Sequence, residues 1–448
     1  MLDFLKNIFI ENFSNDGIVW NDKVFNYEYL FSQMNFWSNK LNENKIIDGT
    51  IVIIFADFSP NTIALLLALI EKNCIVVPIS SSDPHQRSEY IKIAQAELVV
   101  IINEFDIITF QKLDTNATHE LYNILRIKRH PGLVLFSSGS TGNVKATVHD
   151  FQNLIQKYKQ KRKNFRTLAF LLFEHIGGID TLFYSLSNAS CIITIKDRKP
   201  DIVCKLIEKF KVEVLPVSPT FLNLLILSEA YKKYDLSSLK IITYGTELMP
   251  KSTLIKCNNI FPNVKFIQKF GTSEIGTLRS KSKSSFSLWV KLGGEGFETR
   301  VVDGMLQIKA ISAMIGYLNA PSPFTEDGWF TTGDMVEVNG EYYKILGRKS
   351  ELINVGGEKV YPAEVENVIL EMDNIAEVTV FGEKNPIMGN IVCADVTLIK
   401  DENKKEFKQR LKQFCSMRMK SYKIPVKVNF KKEPQFSERY KKKRILKY

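Results

Sequence analysis

No apolar run in these 448 residues is long enough to cross a bilayer. The longest, residues 63–70, falls far short of the ~20 residues that a spanning helix needs. The opening stretch, MLDFLKNIFIENF, has no basic leader and no small-residue cleavage site, so no secretory signal is read there. Cysteine is scarce and scattered. The six residues, at positions 74, 191, 204, 257, 393 and 415, form no close pair, which argues against a zinc site and a disulfide framework. Internal repeats and low-complexity tracts are absent. These absences leave a reduced, soluble, cytoplasmic protein as the expectation.

What is present is globular in proportion. Apolar residues make up 45% of the chain and charged residues 24%, ordinary values that exclude extensive disorder. The length is about three times that of a typical single domain, so two or more units are expected. Charge is unevenly placed. Residues 401–448 hold 17 Lys and Arg against 5 Asp and Glu, whereas the preceding 400 residues hold 43 against 44. A basic end of this kind is either a solvated helix and tail or the footprint of a polyanion such as a nucleotide, coenzyme A or an acidic protein. Nucleic acid is not among the expected partners.

Residues 51–56 read as a strand, 61–71 as an apolar helix and 74–78 as a returning strand, a βαβ unit that implies a parallel sheet covered on both faces. Further strands are expected at 133–137, 167–173, 189–195, 212–217, 240–244 and 264–270, with helices at 151–159, 202–210, 221–232 and 252–258. Alternation of this kind argues for α/β layers. Beyond about residue 280 short strands dominate, and Asn339-Gly340 between two of them is a strong hairpin signal. From residue 348 a smaller unit begins, with helices near 362–371 and 406–415 and strands near 377–381, 391–398 and 426–430. The expected fold is therefore a large α/β domain over residues 1–347 with a β-rich part, followed by a small α+β domain over 348–448.

The most informative stretch is Phe136-Ser137-Ser138-Gly139-Ser140-Thr141-Gly142-Asn143-Val144-Lys145, read as a loop between a strand and a helix. Its glycines let the backbone turn N–H groups toward phosphate oxygens, its hydroxyls add donors, and Lys145 supplies a point charge. It is neither a Walker loop nor a dinucleotide G-x-G-x-x-G, because the glycine spacing is wrong for both.

This loop resembles the ATP-phosphate loop of the adenylate-forming superfamily of acyl-CoA synthetases, luciferases and peptide-synthetase adenylation domains, with Val144 and Ala146 where that family usually has Pro and Gly. Other motifs follow in the family's order. Gln268-Lys269-Phe270-Gly271-Thr272-Ser273-Glu274 resembles Tyr-Gly-x-Thr-Glu; the resemblance implies that Phe270 stacks on adenine, Gln268 reaches its polar edge, Ser273 binds phosphate and Glu274 holds Mg²⁺. Gly245-Thr246-Glu247 is similar to the loop on the adenine's other side. Gly328-Trp329-Phe330-Thr331-Thr332-Gly333-Asp334 resembles the segment whose Asp grips the ribose hydroxyls, and Arg348 the second ribose contact.

Residues 346–366 resemble the hinge region, with the hinge on Ser350. Ser437-Glu438-Arg439-Tyr440-Lys441-Lys442-Lys443-Arg444 is similar to the closing Thr-x-x-Gly-Lys-x-x-Arg, with Tyr440 in place of Gly. That alignment selects Lys441 as the residue bridging carboxylate and α-phosphate, while Lys442 and Lys443 leave the register open. In Phe173-Glu174-His175-Ile176-Gly177-Gly178 the resemblance places His175 beside the acid, and a shifted alignment would make Glu174 an ammonium partner.

The resemblance implies a two-step acid–thiol ligase using ATP and Mg²⁺: a small carboxylic acid becomes an acyl-adenylate, then passes to coenzyme A or to the phosphopantetheine of an acidic carrier protein. Thr141, Lys145, Lys441 and the ion on Glu274 would offset the charge gathered in the first step. An amino-acid-adenylating enzyme and a non-catalytic nucleotide-binding relative are the alternatives.

Overall fold

In the computed structural model, which describes residues 1–80, 83–138, 144–437 and 440–443, two seven-stranded sheets flank a shared apolar core. The strand Ile51–Phe55 lies between Ile75–Ile79 and Leu98–Ile102, parallel to both, and is buried at every position, as expected of a β-branched run with covered faces. The connecting helix Pro60–Glu71 starts at Ser59, whose Oγ accepts the Thr62 N–H at 3.1 Å, with Pro60 where a missing N–H costs nothing. Residues 63–70 of that helix are all buried, and their side chains join those of both sheets in one cluster. A helix apolar all round has no solvent face to present.

The second sheet runs in the order Lys265–Gln268, Ile241–Tyr244, Val214–Val217, Thr167–Leu168, Ile192–Ile193, Asp16–Trp20 and Lys23–Asn26, parallel except for its last hairpin. Two expected strands are cut short. Of residues 167–173 only Thr167–Leu168 pair, and of 189–195 only Ile192–Ile193. The ladder ends because the Phe170 N–H turns back to the Leu168 carbonyl, and His175 then caps the helix Ile176–Leu186. The expected helix 151–159 is a single turn, Phe151–Leu154, continued as a 3₁₀ segment, Ile155–Tyr158.

A six-stranded antiparallel sheet follows, spanning strands from Ser280–Ser282 to Tyr342–Arg348. Its hairpin at Asn339-Gly340 forms as expected, with Gly340 at φ 59° in a turn between paired Asn339 and Tyr342. After the 3₁₀ turn Lys349–Glu351, the strand Ile353–Val355 enters a separate five-stranded sheet packed with the helices Pro362–Ile369 and Lys404–Ser416. Gly356 and Gly357, at φ 56° and 90°, make the turn to Glu358–Val360. All six cysteines are buried and unbridged. No helix among the described residues is long and apolar enough to cross a membrane.

Close packing of one glycine fixes how the helix Ile176–Leu186 sits. A Cβ on Gly178 would lie 2.0 Å from the Leu172 carbonyl oxygen, whereas one on Gly177 would meet only the mobile Leu171 Cδ1 at 2.7 Å. Gly178→Ala is therefore expected to lower unfolding free energy by roughly 1–3 kcal/mol and Gly177→Ala by clearly less. Denaturant titrations of both variants decide it, and equal losses would contradict this account of the packing.

Candidate active site

The described residues on both sides of the phosphate loop are antiparallel strands, which corrects the strand-to-helix reading. Gly132–Ser138 pairs antiparallel with Val144–Asp150, Ser137 opposite Lys145, and the helical turn comes only after Asp150. The period-two pattern with β-branched Val144, Thr147 and Val148 favours a strand there. Gly139, Ser140, Thr141 and Gly142 lie outside the described residues, as does the side chain of Ser138. Lys145 Nζ stands 5.2 Å over the ring of Tyr317, and the Tyr317 hydroxyl donates to Glu274 Oε1 at 2.7 Å. Burial and the neighbouring Glu274 carboxylate hold the Tyr317 hydroxyl well above the usual tyrosine pKa, so it remains a donor. A strand from Gly316 to Tyr317 pairs with Val144–Asp150, which is how the three residues meet.

Glu274 sits on a small hairpin whose arms are Gly271–Thr272 and Gly276–Thr277. Gly271 is required by proximity, since a Cβ there would lie 2.8 Å from the Gly276 oxygen and from the Thr277 Cα. Three successive carbonyls of the tip are held. His149 Nε2 meets the Ser273 oxygen at 2.5 Å, the Met314 N–H donates to the Glu274 oxygen at 2.6 Å, and the Ser312 hydroxyl donates to the Ile275 oxygen at 2.7 Å. His149 is fully buried, and burial pushes its pKa below the ordinary value, so the ring is neutral. The short contact assigns its one proton to Nε2, with Nδ1 3.3 Å from the Ser312 oxygen. The tip is therefore held largely by its backbone. Sequence reasoning missed His149, Ser312 and Tyr317. Only the alternation of residues 144–150, which turns His149 to one face of its strand, hinted at any of them.

Asp334 and Arg348 are cross-strand partners, with Arg348 Nε 3.4 Å from Asp334 Oδ1. Burial raises the Asp334 pKa to about 6; the Arg348 charge opposes this, Glu351 reinforces it, Lys441 opposes it and Glu274 reinforces it. The charge on Lys441, more than 100 residues away in sequence, thus acts on the same carboxylate as the hairpin residues.

Tyr440 directs the tail there. It adopts φ 51°, the left-handed conformation that a glycine would take without strain, and its carbonyl accepts the Ser218 hydroxyl at 2.6 Å. Its ring packs 5.6 Å from Phe170, 5.7 Å from Phe221 and, stacked, 5.5 Å from Phe436. Lys442 points elsewhere: its Nζ donates at 2.8 Å both to the buried Glu366 and to the Val378 carbonyl. The Lys443 N–H bonds the Gln435 carbonyl.

Between these groups lies the nucleotide-base region of the expected site. Gln268 is buried, and its Oε1 has no hydrogen-bond partner among the described residues, an acceptor suited to an amine donor. It lines a cavity of about 280 Å³ together with Leu248, Met249 and Tyr361. Phe270 is half-buried against the core of the antiparallel sheet. Gly245 is pressed against the Lys269 carbonyl, where a Cβ would lie at 2.8 Å, and Thr246 is left-handed at φ 71°. The Glu247 side chain does not face this region. Its oxygens accept the Thr220 N–H at 2.7 Å and the Lys442 N–H at 3.0 Å, tying loop, helix and tail together. On the opposite side His175 Nε2 stands 4.0 Å from Glu174 Oε1, and Glu174 Oε2 accepts the Ser80 N–H at 2.7 Å. That bond turns the buried Glu174 toward the end of the strand Ile75–Ile79.

A family model described as AMP-binding enzyme matches residues 11–283, and one described as AMP-binding enzyme C-terminal domain matches residues 364–436. The chain is 28% identical to an indoleacetate–CoA ligase of Aromatoleum aromaticum over 67% of its own length and 63% of that protein's, just under two thirds of the relative. It is 26% identical to a long-chain-fatty-acid–CoA ligase of Bacillus subtilis over 88% of this chain and 71% of that one. Among solved structures, the anthranilate CoA ligase AuaEII with anthranoyl-AMP superposes with a TM-score of 0.84 at 18% identity, covering 99% and 95% of the two chains. ATP-bound MatB from Rhodopseudomonas palustris gives 0.80 at 19% identity over 97% and 96%. At those identities the likeness is one of fold.

Asp334 carries a pH signature. Its folded-state pKa of about 6 lies above the ordinary ~3.9, so ionisation is unfavourable in the fold and the lost stability appears as pH rises through that window. Asp334→Asn is expected to be at least as stable as the parent at pH 7 but to bind ATP more weakly. Parent affinity should fall as pH drops from 7 to 5, and the variant's should not. Parallel ATP titrations at several pH values check this; the same pH step in both proteins would show that Asp334 is not the titrating contact.

Proposed function

Since the chain belongs to the AMP-binding enzyme family, we propose that it activates a small carboxylic acid with ATP to an acyl-adenylate and pyrophosphate, then transfers the acyl group to a thiol. The observation that carries this reading is the seating of the tail on the large domain on both sides of Lys441, through the Ser218 hydroxyl on the Tyr440 carbonyl and the Glu247 carboxylate on the Lys442 N–H. A nucleotide whose ribose is held by Asp334 and Arg348, with its phosphates toward Lys145, would place its α-phosphate in reach of Lys441. The reaction brings two anions together, so positioning and charge neutralisation supply most of the acceleration. Lys441 offsets charge that grows only in the transition state. His175, at the start of its helix, would border the acid's carboxylate. Gln268 Oε1 is the acceptor left for the adenine amine.

The residues fit Mg²⁺. This ion is commonly held by one or two carboxylates plus substrate phosphates, and Glu274 supplies one hard oxygen, oriented by Tyr317. Bound there, it would neutralise phosphate charge.

The relatives named above are coenzyme A ligases, which supports coenzyme A as the thiol. A second reading, an acidic carrier protein, rests on Lys404, Lys405, Lys408 and Lys412, all exposed along the helix Lys404–Ser416. For the transfer step the small domain would turn about Ser350, which is exposed between the two sheets.

Two experiments test these points. Lys441→Ala should abolish acid-dependent pyrophosphate exchange while retaining ATP binding, a loss of ~3–4 kcal/mol in the transition state. Lys442→Ala should instead lower thermal stability, because it removes the cation facing buried Glu366. Exchange lost only in Lys442→Ala would shift the catalytic register by one. Replacing the four helix lysines by Gln should slow transfer to an acidic carrier, most at low salt where exposed charges are least screened, and spare adenylation. Unchanged transfer to every carrier, with efficient transfer to coenzyme A, would leave that face as solvated surface.

A further inference from the structure

A side chain leaves its backbone in a direction fixed by the two peptide planes that meet at its Cα. At Lys441 both planes are held. The plane before it carries the Tyr440 carbonyl, which accepts the Ser218 hydroxyl at 2.6 Å. In the plane after it, the Lys441 carbonyl accepts the Ser437 N–H at 2.8 Å and the Lys442 N–H donates to Glu247 Oε2 at 3.0 Å. Two of these three partners, Ser218 and Glu247, belong to the large domain. They meet at the start of the helix Pro219–Ser228. Ser218 caps that helix by accepting the Phe221 N–H at 3.1 Å, and Glu247 Oε1 takes the Thr220 N–H at 2.7 Å. One carboxylate therefore bridges the helix start and the tail.

The other end of this bridge is the base region. Glu247 follows Gly245, where a Cβ would lie 2.8 Å from the Lys269 carbonyl oxygen, and Thr246, which is left-handed at φ 71°. The Gly245 N–H reaches the Val217 carbonyl at 3.3 Å, one residue before Ser218. Around the carboxylate the joint is not filled. A cavity of about 50 Å³ is lined by Thr220, Glu247, Gln435 and Lys442, and the buried Gln435 Oε1 has no hydrogen-bond partner among the described residues. At ~30 Å³ per molecule that is room for one or two waters, which can take over the Glu247 oxygen when the tail leaves. We propose that Glu247 is the positioning residue for Lys441 and that it makes the seating of the tail depend on the nucleotide. A base lying against Gly245 and Thr246 would fix the backbone from which Glu247 extends, and the fixed carboxylate would hold the plane that aims Lys441. Such coupling is reciprocal: the factor by which nucleotide favours the seated tail is the factor by which the seated tail favours nucleotide. The proposal rests on the acid-activating function above, whose first step Lys441 serves.

The test uses three variants of the full chain, each first melted thermally to show that it folds. Glu247→Ala should lower the kcat of acid-dependent pyrophosphate exchange by roughly 10²-fold, as a misaimed group does, with the KM for the acid within about threefold. Transfer from a supplied acyl-adenylate to the thiol should hold or rise, because that step does not need the seated tail. Glu247→Gln keeps one acceptor oxygen and should recover part of the exchange. Asn223→Ala is the control. It removes another contact between the domains, the Asn223 Nδ2 bond to the Ala376 carbonyl at 2.8 Å, and leaves both planes of Lys441 alone, so exchange should hold within about threefold. A second assay needs no turnover: tryptic cleavage at residues 441–443, timed by mass spectrometry with and without ATP. ATP should slow cleavage by about tenfold in the parent and not in Glu247→Ala, whose ATP affinity should be about tenfold weaker. Equal losses of exchange and transfer in Glu247→Ala, as large a loss in Asn223→Ala, or ATP protection that survives Glu247→Ala would overturn the proposal. Protection that depends on Glu247, without exchange for any acid, would uphold the tie and refute the adenylating function instead.

Discussion

The seating of the C-terminal tail on the large domain is the contact on which the assembled site depends, and Tyr440 carries it. A non-glycine residue in the left-handed region gives up about 1–2 kcal/mol. Aromatic pairs contribute about 0.5–1.5 kcal/mol each beyond burial, so the three rings around Tyr440 more than offset the strain. Glycine at this position would turn just as readily and hold nothing. Here the turn is also an anchor: with Ser218 on its carbonyl and Glu247 on the next N–H but one, the tail is fastened to the large domain on both sides of Lys441. Lys441 is placed by its held neighbours. The same contacts must be released if the small domain is to turn for thioester formation, so a stronger anchor favours the first half-reaction over the second.

The site stores electrostatic stress against which substrate binding can work. Asp334 is buried beside one arginine that lies 3.4 Å away, too far for a strong charge-assisted hydrogen bond, and its pKa is correspondingly raised. Lys269 shows the opposite shift for the same physical reason, withdrawal of a charge from water. A bound ribose would supply hydroxyl donors to the first. By contrast the buried Glu366 and the half-buried Lys442 are paired and hydrogen-bonded within the small domain, where their role is structural. Burial alone does not mark a functional group. Burial without a satisfied partner does.

Much of the fold could be read from local pattern. The central βαβ unit was legible because Ile51–Phe55 and the helix Pro60–Glu71 have unmistakable periodicity and a Ser-Pro start. The hairpin at Gly340 was legible from two residues. What failed did so where tertiary packing decides. Residues 169–173 are as apolar as a strand, yet they turn under the core because Gly178 brings the next helix against Leu172. The phosphate loop's second arm was read as a helix approach although its alternation says strand. At the site, motif residues with their own chemistry, Lys145, Glu274, Asp334 and Lys441, were legible as candidates. The residues that place them were not. His149, Ser312 and Met314 act through a ring nitrogen, a hydroxyl and a backbone N–H on carbonyls of distant residues, and no spacing rule connects them. Glu247 was assigned to the base region by its loop, but the fold uses its carboxylate as a tie.

The two halves of the site are built by different means, and this bears on how such a fold accommodates many acids. On the phosphate side the Ser273–Ile275 tip is held through its backbone carbonyls by residues of the antiparallel and first sheets. Substituting most side chains there would leave the geometry of Glu274 intact. On the side of His175 the groups are side chains at the start of one helix, Ile176–Leu186. Gly178 fixes the height of that helix, because a Cβ there would lie 2.0 Å from the Leu172 carbonyl oxygen. Such a division agrees with structural neighbours that share this fold at 18–19% identity and with relatives named for acids as different as indoleacetate and long-chain fatty acids. A phosphate side held by backbone and a His175 side built from side chains would let the acid change while the geometry of Glu274 stays.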